Sequence, residues 1–389
     1  MPEESLNGCR RSIGKLSLVV TEQCNLSCDY CYARLSKRWH QNRAMSVDIA
    51  DKIIDKVIAQ ADRCELIQFF GGEPTLNINI VEHIAREIES CYRSRKLRVM
   101  PRLGIVTNGY FLQKDRIYDV LKRHNVETTI SIDGPPPIND LLRFSKNGKS
   151  TYRTVAKSIN ELHAIGINLA IETVYTAHHI AQQYSIIDCM KFAMDHGINK
   201  LILQSAYPPA SVATNPLSDS TFEAYSMLYM QAVDWWFMRF IKNGDVFDVY
   251  FKDILRIMLN DPPRRPSGCP AGLTSYSIGP DGSIYPCQLL YGNPRLHIGN
   301  VADNGFILHC DQIDEVHTEF EECRVCYARY WCQPCAALND FFGDIEHPPE
   351  RECAIRRAII LRIGQWAAKL LELPRNEQTT ILMEKIRTL

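Results

Sequence analysis

The stretch LSLVVTEQCNLSCDYCYA, residues 16–33, contains the pattern that decides the fold. Its opening run, LSLVV, is short, largely apolar and rich in valine, which is typical of a buried strand. Cys24, Cys28 and Cys31 follow at once, and three thiolates this close in sequence can converge on one inorganic centre. A 4Fe–4S cluster normally takes four cysteines, so three would leave one iron open to a small molecule. The alternative is a structural zinc site, for which His40 is the nearest fourth ligand.

Short apolar runs alternate with amphipathic segments beyond this stretch. They predict strands at 16–20, 65–70, 102–107, 128–132, 169–175 and 200–205, with helices near 46–61, 77–94, 113–124, 151–165 and 181–196. Strands that alternate with helices favour βα units and a parallel sheet. A closed eight-stranded barrel would need two more units, so a partial barrel or an open sheet fits residues 1–206 better.

The rest of the chain is expected to form three further segments. Residues 207–268 form a bridging segment, 269–372 a cysteine-rich domain with a closing helix, and 373–389 a polar tail. Two helices are predicted in the bridging segment, near 220–242 and 245–260. The first of them carries an aromatic stripe that is predicted to be core, at Trp235, Trp236, Phe237 and Phe240.

The bulk composition excludes several classes of partner. A net charge of −1 leaves no electrostatic footprint for nucleic acid or for a membrane surface, so neither is expected. The sequence has no signal-peptide core and no apolar run of about 18 residues, so a cytoplasmic protein is expected. Fifteen cysteines in a reducing compartment indicate metal binding or redox chemistry rather than disulfides.

The first cysteine group resembles the Cx3Cx2C motif of the radical S-adenosylmethionine (SAM) superfamily, with Tyr30 as the aromatic residue before the third cysteine. Further motifs of that family follow successive predicted strands, namely GGEP at 71–74, TNG at 107–109 and SIDGP at 131–135. The resemblance implies an α/β fold, a partial (β/α)6 barrel that binds SAM at the carboxyl ends of its strands.

The same resemblance implies a role for individual residues. The GGEP backbone and the Glu73 side chain would hold the amino group of the methionine moiety, and Arg143 would pair with its carboxylate. Ser131 and Asp133 would lie near the ribose, and Val174 near the adenine. The implied SAM contacts are Tyr30, Gly71, Gly72, Glu73, Pro74, Asn108, Ser131, Asp133, Arg143 and Val174.

The second cysteine region resembles the SPASM domain. Its signature is a Cx12Gx4C segment ending at Cys287, followed by CRVCYARYWCQPC at 323–335, whose last cysteine pair is one residue closer than in the family. The resemblance implies two auxiliary 4Fe–4S clusters, the outer held by Cys323, Cys326, Cys332 and Cys353, and the inner by Cys269, Cys287 and Cys335. Cys310 either completes the inner site or leaves an iron open to substrate, and we favour the open iron. A zinc ribbon is the alternative to both clusters.

By resemblance, the chain is an enzyme with three 4Fe–4S clusters that cleaves SAM to a 5′-deoxyadenosyl radical. A low-potential electron donor such as flavodoxin or ferredoxin is implied. Anaerobic sulfatase maturases, within the same group, carry an aspartate base directly after the YPC cysteine, where this chain has Gln288. Maturases of ribosomally made peptides therefore match better. The expected substrate is a short ribosomal precursor peptide, joined between its side chains by a C–C or C–S bond.

Several expectations concern parts of the reaction that the motifs do not define. Glu172, a polar residue within the fifth strand, is the candidate catalytic base, and His178 and His179 are expected in a surface loop. Only 23 residues precede Cys24, so leader recognition is expected from the catalytic chain or from a separate protein. Formylglycine formation and a non-enzymatic zinc or iron–sulfur redox scaffold are the alternative functions.

Overall fold

The structure is a computed structural model that describes residues 12–36, 38–39, 42–206, 211, 213–260, 269–306, 308, 320–332, 334–342, 347–374 and 376–388. The chain divides into two compact units. The first comprises Met1–Ser131, Phe144–Leu169 and Pro270–Val316, and the second comprises Ile132–Arg143, Ala170–Cys269 and His317–Leu389. The segment boundaries at 206, 268 and 372 stay predictions.

The strands and helices follow in chain order. The strands are β1 (Ser12–Thr21), β2 (Arg63–Gly71), β3 (Arg102–Thr107), β4 (Glu127–Ser131), β5 (Leu169–Tyr175), β6 (Leu201–Ser205), β7 (Ser275–Ile278), β8 (Ser283–Tyr285) and β9 (Gly299–Asn300). The helices are α1 (Tyr32–Leu35), α2 (Val47–Ile53), α3 (Ile78–Arg93), α4 (Lys114–Arg123), α5 (Pro136–Leu142), α6 (Tyr152–Ala164), α7 (Ala177–Ala181), α8 (Ile186–Asp195), α9 (Phe222–Asn243), α10 (Tyr250–Asn260), α11 (Glu321–Arg324), α12 (Ala336–Phe342), α13 (Glu350–Glu372) and α14 (Glu377–Thr388).

The alternation of strands and helices agrees with the predicted α/β fold. Strands β1 to β6 lie where the apolar runs predict them, and helices α2 to α8 lie between them. The helix expected near 181–196 is interrupted, because Gln183 has a φ of 54°. Ser185 then starts α8 by accepting a hydrogen bond from the Asp188 backbone N–H. None of the helices in the described ranges is long and apolar enough to span a membrane.

The first unit is a sheet built around β1. Strands β1 and β2, β2 and β3, and β3 and β4 pair in parallel. The other edge of β1 pairs in parallel with β7, which continues into the antiparallel strands β8 and β9. The strand order in this unit is therefore β4-β3-β2-β1-β7-β8-β9. Parallel pairing places the carboxyl ends of β1 to β4, where the sequence motifs lie, at one edge of this sheet.

Strand β1 is buried on both of its faces. Leu16, Leu18 and Val20 on one face are 0% exposed, and so are Ser17 and Val19 on the other. A strand with parallel neighbours on both sides needs apolar residues on both faces, which is why its sequence is nearly continuous in leucine and valine. Each such side chain contributes about 1.5–3 kcal/mol by its removal from water.

The second unit joins the parallel pair β5 and β6 to a group of helices. The β5–β6 register pairs Val174 with Gln204 and Tyr175 with Ser205. Helices α9 and α13 pack together, and Arg362 forms hydrogen bonds of 2.7 and 2.6 Å with the two carboxylate oxygens of Asp234.

Three of the four residues in the aromatic stripe of α9 are core, as predicted from the sequence, whereas Trp235 is partly exposed. Trp236, Phe237 and Phe240 are at most 1% exposed. Phe237 also stacks on Trp366 of α13 at a centroid distance of 5.5 Å. These rings therefore fill the interior of the second unit and leave no role for the stripe as a cofactor box.

The end of the chain differs from the expected polar tail, because it folds into helix α14. The sequence EQTTILMEKIRT contains few apolar residues, but Leu382 and Ile386 lie one turn apart and are 3% and 0% exposed. Helix α14 packs on α10, and the Lys385 ammonium group donates a 2.7 Å hydrogen bond to the Gly244 carbonyl. Two buried side chains and this hydrogen bond fix the segment in the second unit.

Replacing Ile386 tests this packing. Ile386→Ala should lower the free energy of unfolding by about 2–5 kcal/mol, because it removes most of a buried side chain. Ile381→Ala is the matched control on the same helix, since Ile381 is 46% exposed, and it should cost less than about 0.5 kcal/mol. Urea unfolding followed by circular dichroism measures both. Equal, small effects would show that α14 is not packed.

Candidate functional site

The first cysteine group lies in the loop that connects β1 to α1. Cys31 directly precedes α1, its backbone N–H donates to the Cys28 carbonyl at 3.3 Å, and the Leu26 N–H donates to the Cys24 sulfur at 3.4 Å. Burial, and then the neighbouring Glu73, Cys28 and Cys31, raise the pKa of Cys24 to about 12. The three thiols are therefore close enough to interact, and binding of a metal centre must displace their protons.

The two glycines of GGEP bring β2 against this loop. The Gly72 N–H donates to the Thr21 carbonyl at 2.9 Å, and the Glu73 N–H donates to the Gln23 carbonyl at 2.7 Å. A Cβ atom at Gly71 would lie 2.2 Å from the Thr21 oxygen, and one at Gly72 would lie 2.3 Å from the Gln23 oxygen. No residue with a side chain fits either position, so glycine is required by this close backbone approach.

Glu73 connects the end of β2 to the end of β3. Its side chain is 0% exposed and accepts hydrogen bonds from the Thr75 N–H and hydroxyl, the Thr107 hydroxyl and the Asn108 N–H, at 2.6 to 3.1 Å. Burial raises the pKa of this carboxyl, and the four donors oppose that shift. These donors occupy the carboxylate, whereas Gly71 and Gly72 are partly exposed. The backbone of the motif is thus its accessible part.

Asn108, which directly follows β3, contacts the cysteine loop. Its amide nitrogen donates to the Asn25 side-chain oxygen at 2.7 Å and lies 3.8 Å from the Cys24 sulfur, within hydrogen-bonding range for sulfur. Its amide oxygen accepts from the Tyr110 N–H at 2.8 Å, which fixes the orientation of the group. Sequence reasoning identified Asn108 but missed Asn25, whose position becomes evident only when β1 and β3 are brought together.

A partly buried group of ion pairs joins the start of the cysteine loop to the β7–β8 turn. Glu22, 3% exposed, accepts a hydrogen bond from Tyr291 at 2.8 Å and one from Arg43 at 2.9 Å. Arg43 also pairs with Asp281, the aspartate of GPDG. Burial, and then the Glu22 carboxylate, raise the pKa of Tyr291, so its hydroxyl remains a donor. None of these residues was singled out from the sequence.

Gln288 lies beside the middle of β1. Its side-chain oxygen accepts a 3.1 Å hydrogen bond from the hydroxyl of Ser17, which is completely buried. This interaction holds the amide in one orientation. A neutral amide cannot take up a proton at physiological pH, so this position supplies no general base.

In the second unit, the Asp133 side chain contacts the end of β5. Its side chain is 0% exposed, and one carboxylate oxygen accepts from the Val174 N–H at 3.0 Å. Its own N–H donates to the Asn139 side chain at 3.3 Å. Arg143, 8% exposed, directly follows α5, and its N–H donates to the Asn139 carbonyl at 2.7 Å. The SIDGP motif and Arg143 therefore share Asn139 as a neighbour.

His179 is not in a surface loop, so that expectation was wrong; its side chain is 0% exposed. The Thr176 N–H lies 3.1 Å from His179 Nδ1, and Nε2 lies 2.8 Å from the Asp133 carbonyl. These partners require Nδ1 to accept and Nε2 to donate, which is the neutral imidazole. Burial lowers the pKa of His179 in agreement with this tautomer. His178, beside it, is partly exposed.

Four cysteines expected around the outer cluster neighbour one another in the second unit. Burial raises the pKa of Cys353 to about 11, and Cys332 and Cys323 contribute to this shift. Burial likewise raises the pKa of Cys332, with a further contribution from Cys326. Each of the four is partly exposed. Their proximity fits a cluster with one cysteine on each iron.

Arg356 lies beside these thiols and was missed by sequence reasoning. Its Nε donates to Glu352 at 2.6 Å. Although burial acts to lower it, the pKa of Arg356 is raised by Glu352 and by Cys332 and Cys335. A permanent positive charge beside thiolates offsets part of the negative charge that a cluster brings.

The remaining predicted ligands are distributed over both units. Cys287 belongs to the first unit, Cys269 and Cys335 belong to the second, and Cys310 lies outside the described residues. Glu172, on β5, is partly exposed and pairs in register with Ile202. Across the ranges that the structure describes, no group of three or more His, Cys, Asp or Glu side chains is arranged to hold a single metal ion. A 4Fe–4S cluster does not require side chains to meet at a single metal ion, because each of its cysteines binds a different iron.

Two family matches define the class of protein. Residues 18–180 match the radical SAM superfamily, and residues 269–336 match SPASM, an iron–sulfur cluster-binding domain. The chain therefore contains a radical SAM domain followed by a SPASM domain, the two domains of a radical SAM enzyme.

Two relatives in sequence have names that describe different activities. The chain is 27% identical over 305 residues to a cysteine-type anaerobic sulfatase-maturating enzyme of Clostridium novyi, covering 76% of this chain and 78% of that protein. It is 23% identical over 372 residues to the radical SAM cyclopropyl synthase TigE of Paramaledivibacter caminithermalis, covering 90% of this chain and 74% of that protein. The sequence match to TigE extends over more of the chain.

Two solved structures share the fold. Native anSMEcpe with bound AdoMet and Cp18Cys peptide has a TM-score of 0.75 at 19% identity, covering 93% of this chain and 99% of that one. Streptococcus suis SuiB bound to its precursor peptide SuiA has a TM-score of 0.56 at 16% identity, covering 87% and 75%. At these identities the likeness shows the fold alone.

The buried, neutral His179 should make the second unit sensitive to acid. The unfolded chain takes up a proton at this position near pH 6.5, whereas the folded chain does so only at lower pH. Stability should therefore fall as the pH drops from about 6.5, by up to about 1.4 kcal/mol per pH unit. His179→Gln should remove this slope, and His178→Gln should keep it. Urea midpoints between about pH 7 and pH 5 measure the slopes; the same slope in both variants would assign it to other groups.

Proposed function

We propose that this enzyme cleaves SAM reductively and uses the resulting radical on a ribosomally made peptide, joining two of its side chains by a C–C or C–S bond. The relatives support a peptide or protein substrate, since their names include sulfatase maturation and a cyclopropyl synthase, and SuiB is bound to a precursor peptide. The radical SAM and SPASM domains support the cofactors.

The observation that carries the cross-linking proposal is the position of Gln288. Sulfatase maturases have an aspartate base at this place in the motif, whereas this chain holds an amide there by the Ser17 hydroxyl. Without a base at this position, formylglycine formation loses the group that removes the hydroxyl or thiol proton. Glu172, on β5, is instead the candidate to accept a proton from the peptide.

The proposed ligands follow the motifs. Cys24, Cys28 and Cys31 hold the SAM-binding cluster, and the auxiliary sets are Cys323, Cys326, Cys332 and Cys353 for the outer cluster and Cys269, Cys287 and Cys335 for the inner. Cys310 is either a fourth ligand of the inner cluster or uninvolved. The Asn108 amide, 3.8 Å from the Cys24 sulfur, supports the first set, because a donor to sulfur stabilises the thiolate.

The proposed SAM contacts are grouped at strand ends. The Gly71 and Gly72 backbone would hold the methionine amino group, while Glu73 orients that backbone through its own hydrogen bonds. Arg143 would pair with the carboxylate. Ser131, Asp133 and Val174 would surround the adenosyl part, and Tyr30, Pro74 and Asn108 complete the set. Asp133 and Val174 are already joined by a 3.0 Å hydrogen bond, which supports a shared role.

The overall change must balance. When bound, the clusters and SAM would supply a hydrogen-abstracting 5′-deoxyadenosyl radical and an acceptor for one electron. Joining two side chains removes two hydrogens from the peptide, one as an atom that goes to deoxyadenosine and one as a proton and an electron. A low-potential donor such as flavodoxin or ferredoxin is the proposed source of the electron that cleaves SAM. A separate leader-recognition protein is a further proposed partner.

The proposal is tested by product analysis with anaerobically reconstituted enzyme, SAM, dithionite and synthetic peptides for short reading frames beside its gene. Cross-linking should yield deoxyadenosine and a peptide that has lost two hydrogens and does not react with hydroxylamine. A peptide that reacts with hydroxylamine would indicate an aldehyde and favour formylglycine formation. Replacing Cys24, Cys28 and Cys31 together with Ala should remove about four irons and abolish deoxyadenosine formation. Deoxyadenosine from that variant would refute the assignment.

Arg356 should tune the outer auxiliary cluster. Arg356→Gln removes a positive charge beside Cys332 and Cys335, so the reduction potential of the outer cluster should fall by roughly 50 mV. Lys369→Gln on the same helix is the control, since Lys369 lies over the Trp366 ring more than four turns from Cys353. Redox titration followed by electron paramagnetic resonance measures the potential. An unchanged potential with full iron content would contradict the role.

A further inference from the structure

The outer edge of β6 has backbone groups that are not used by the sheet. In the parallel β5–β6 pair, the Ile171 N–H donates to the Lys200 carbonyl at 3.0 Å and the Ala206 N–H donates to the Tyr175 carbonyl at 3.3 Å. The even-numbered residues of β6 therefore face β5, and the odd-numbered residues Leu201, Leu203 and Ser205 direct their N–H and C=O groups away from it.

Most of this outward edge is open. The Leu201 N–H donates to the Asp248 carbonyl at 2.9 Å. Within the described part of the chain, the outward backbone groups of Leu203 and Ser205 have no backbone hydrogen-bond partner, and no further strand pairs with this edge. Unpaired edge groups of this kind are a template for another extended chain.

The open edge faces a cavity of about 560 Å3 in the second unit. Its lining includes Leu203 and Ser205, the tyrosines Tyr225 and Tyr229 of α9, and Trp331, which directly precedes Cys332. The Trp331 indole Nε1 is a buried donor without a hydrogen-bond partner in the described residues. Buried donors and acceptors are normally satisfied, so these groups indicate an occupant with main-chain-like hydrogen-bonding groups.

Most charged side chains of the cavity form ion pairs with one another, and the remaining one, Asp253, pairs at 3.9 Å with Arg256 outside the lining. Lys252 and Lys200 pair with Asp248 at 2.8 and 3.6 Å. Glu352 and Arg356 pair at 2.6 Å. Since these charges are compensated, the cavity offers an occupant main-chain hydrogen bonds and aromatic surface rather than net charge. A site of this kind binds the main chain of an extended peptide and accepts different peptide side chains.

We propose that the open edge of β6 binds the substrate peptide as an added strand, with Leu203 and Ser205 as its main-chain partners. This inference rests on the peptide substrate of the proposed function. The outward groups of Leu203 and Ser205 are spaced about 6.6 Å apart along the strand, which is the two-residue repeat of an extended peptide.

The edge also places such a peptide near the proposed radical. Ser205 is level with Tyr175, and Gln204 is level with Val174, one of the residues proposed to contact the adenosyl group. Strands in a sheet lie about 4.8 Å apart, so a strand added to β6 would run about 10 Å from β5. Side chains of the peptide near Ser205 can span part of that distance, whereas those near Leu201 lie at the other end of the strand.

The first test distinguishes the contribution of the β6 backbone to peptide binding from that of the Leu203 side chain. A random peptide library displayed on mRNA is selected against reconstituted wild-type enzyme, and the selected peptides are measured by fluorescence anisotropy. Leu203→Pro removes the outward N–H and should weaken binding at least about tenfold. Leu203→Ala keeps the backbone groups and should stay within about threefold. Equal affinity for wild type and Leu203→Pro, or no selected peptide at all, would overturn the docking site.

The second test leaves the protein unchanged, so it does not depend on the folding of the proline variant. Each backbone amide of a selected peptide is methylated in turn. An added strand donates only every second N–H to β6, so methylation should weaken binding by roughly 3- to 10-fold at alternate residues and little between them. Losses without alternation would overturn the added-strand geometry.

The proposed reaction and the proposed docking site can be refuted separately. Selected peptides that bind with alternating dependence but are not modified with SAM and dithionite would retain the docking site and refute the proposed reaction. A peptide that is modified and binds Leu203→Pro as tightly as wild type would retain the reaction and refute the docking site.

Discussion

The contact on which the site depends is the backbone approach between the loop after β1 and the start of GGEP. Two hydrogen bonds, from Gly72 to Thr21 and from Glu73 to Gln23, hold it together at 2.9 and 2.7 Å. They orient Glu73 toward the end of β3, and Asn108 there returns to within 3.8 Å of the Cys24 sulfur. Hydrogen bonds thus join the ends of β1, β2 and β3 beside the cysteine loop. A methyl group at Gly71 or Gly72 would disrupt these contacts.

Local patterns in the sequence predicted the elements of this fold, but they did not predict its longest-range pairings. Strands β1 to β6 follow from apolar runs with helices between them, because burial imposes that pattern on each segment by itself. The pairing of β7 with β1 joins residues about 260 positions apart and has no local signature. Helix α14 was expected to be a tail because its sequence is largely polar, and the burial of Leu382 and Ile386 depends on the helices that pack against them.

In the candidate site, too, local sequence patterns were informative and long-range contacts were not predicted. Motif residues such as Glu73, Asp133 and Arg143 could be proposed from the sequence because they stand in short motifs that resemble those of the radical SAM family. Asn25, His179 and Arg356 were missed or misplaced, because their roles arise from groups that the chain folds against them. For His179 the deciding partner is the Asp133 carbonyl, 46 residues earlier. For Arg356 it is the group of thiols near Cys332. Sequence spacing carries no information about either neighbour.

The central place of β1 has a consequence for how the protein is made. Its parallel partners β2 and β7 are complete only after residues 71 and 278 have been synthesised. At ordinary translation rates, on the order of tens of seconds separate the two events, and one edge of a very apolar strand lacks its partner during that time. A nascent chain in this state is a target for chaperones and for self-association. Expression at lower temperature, with chaperones in excess, should therefore raise the yield of folded enzyme.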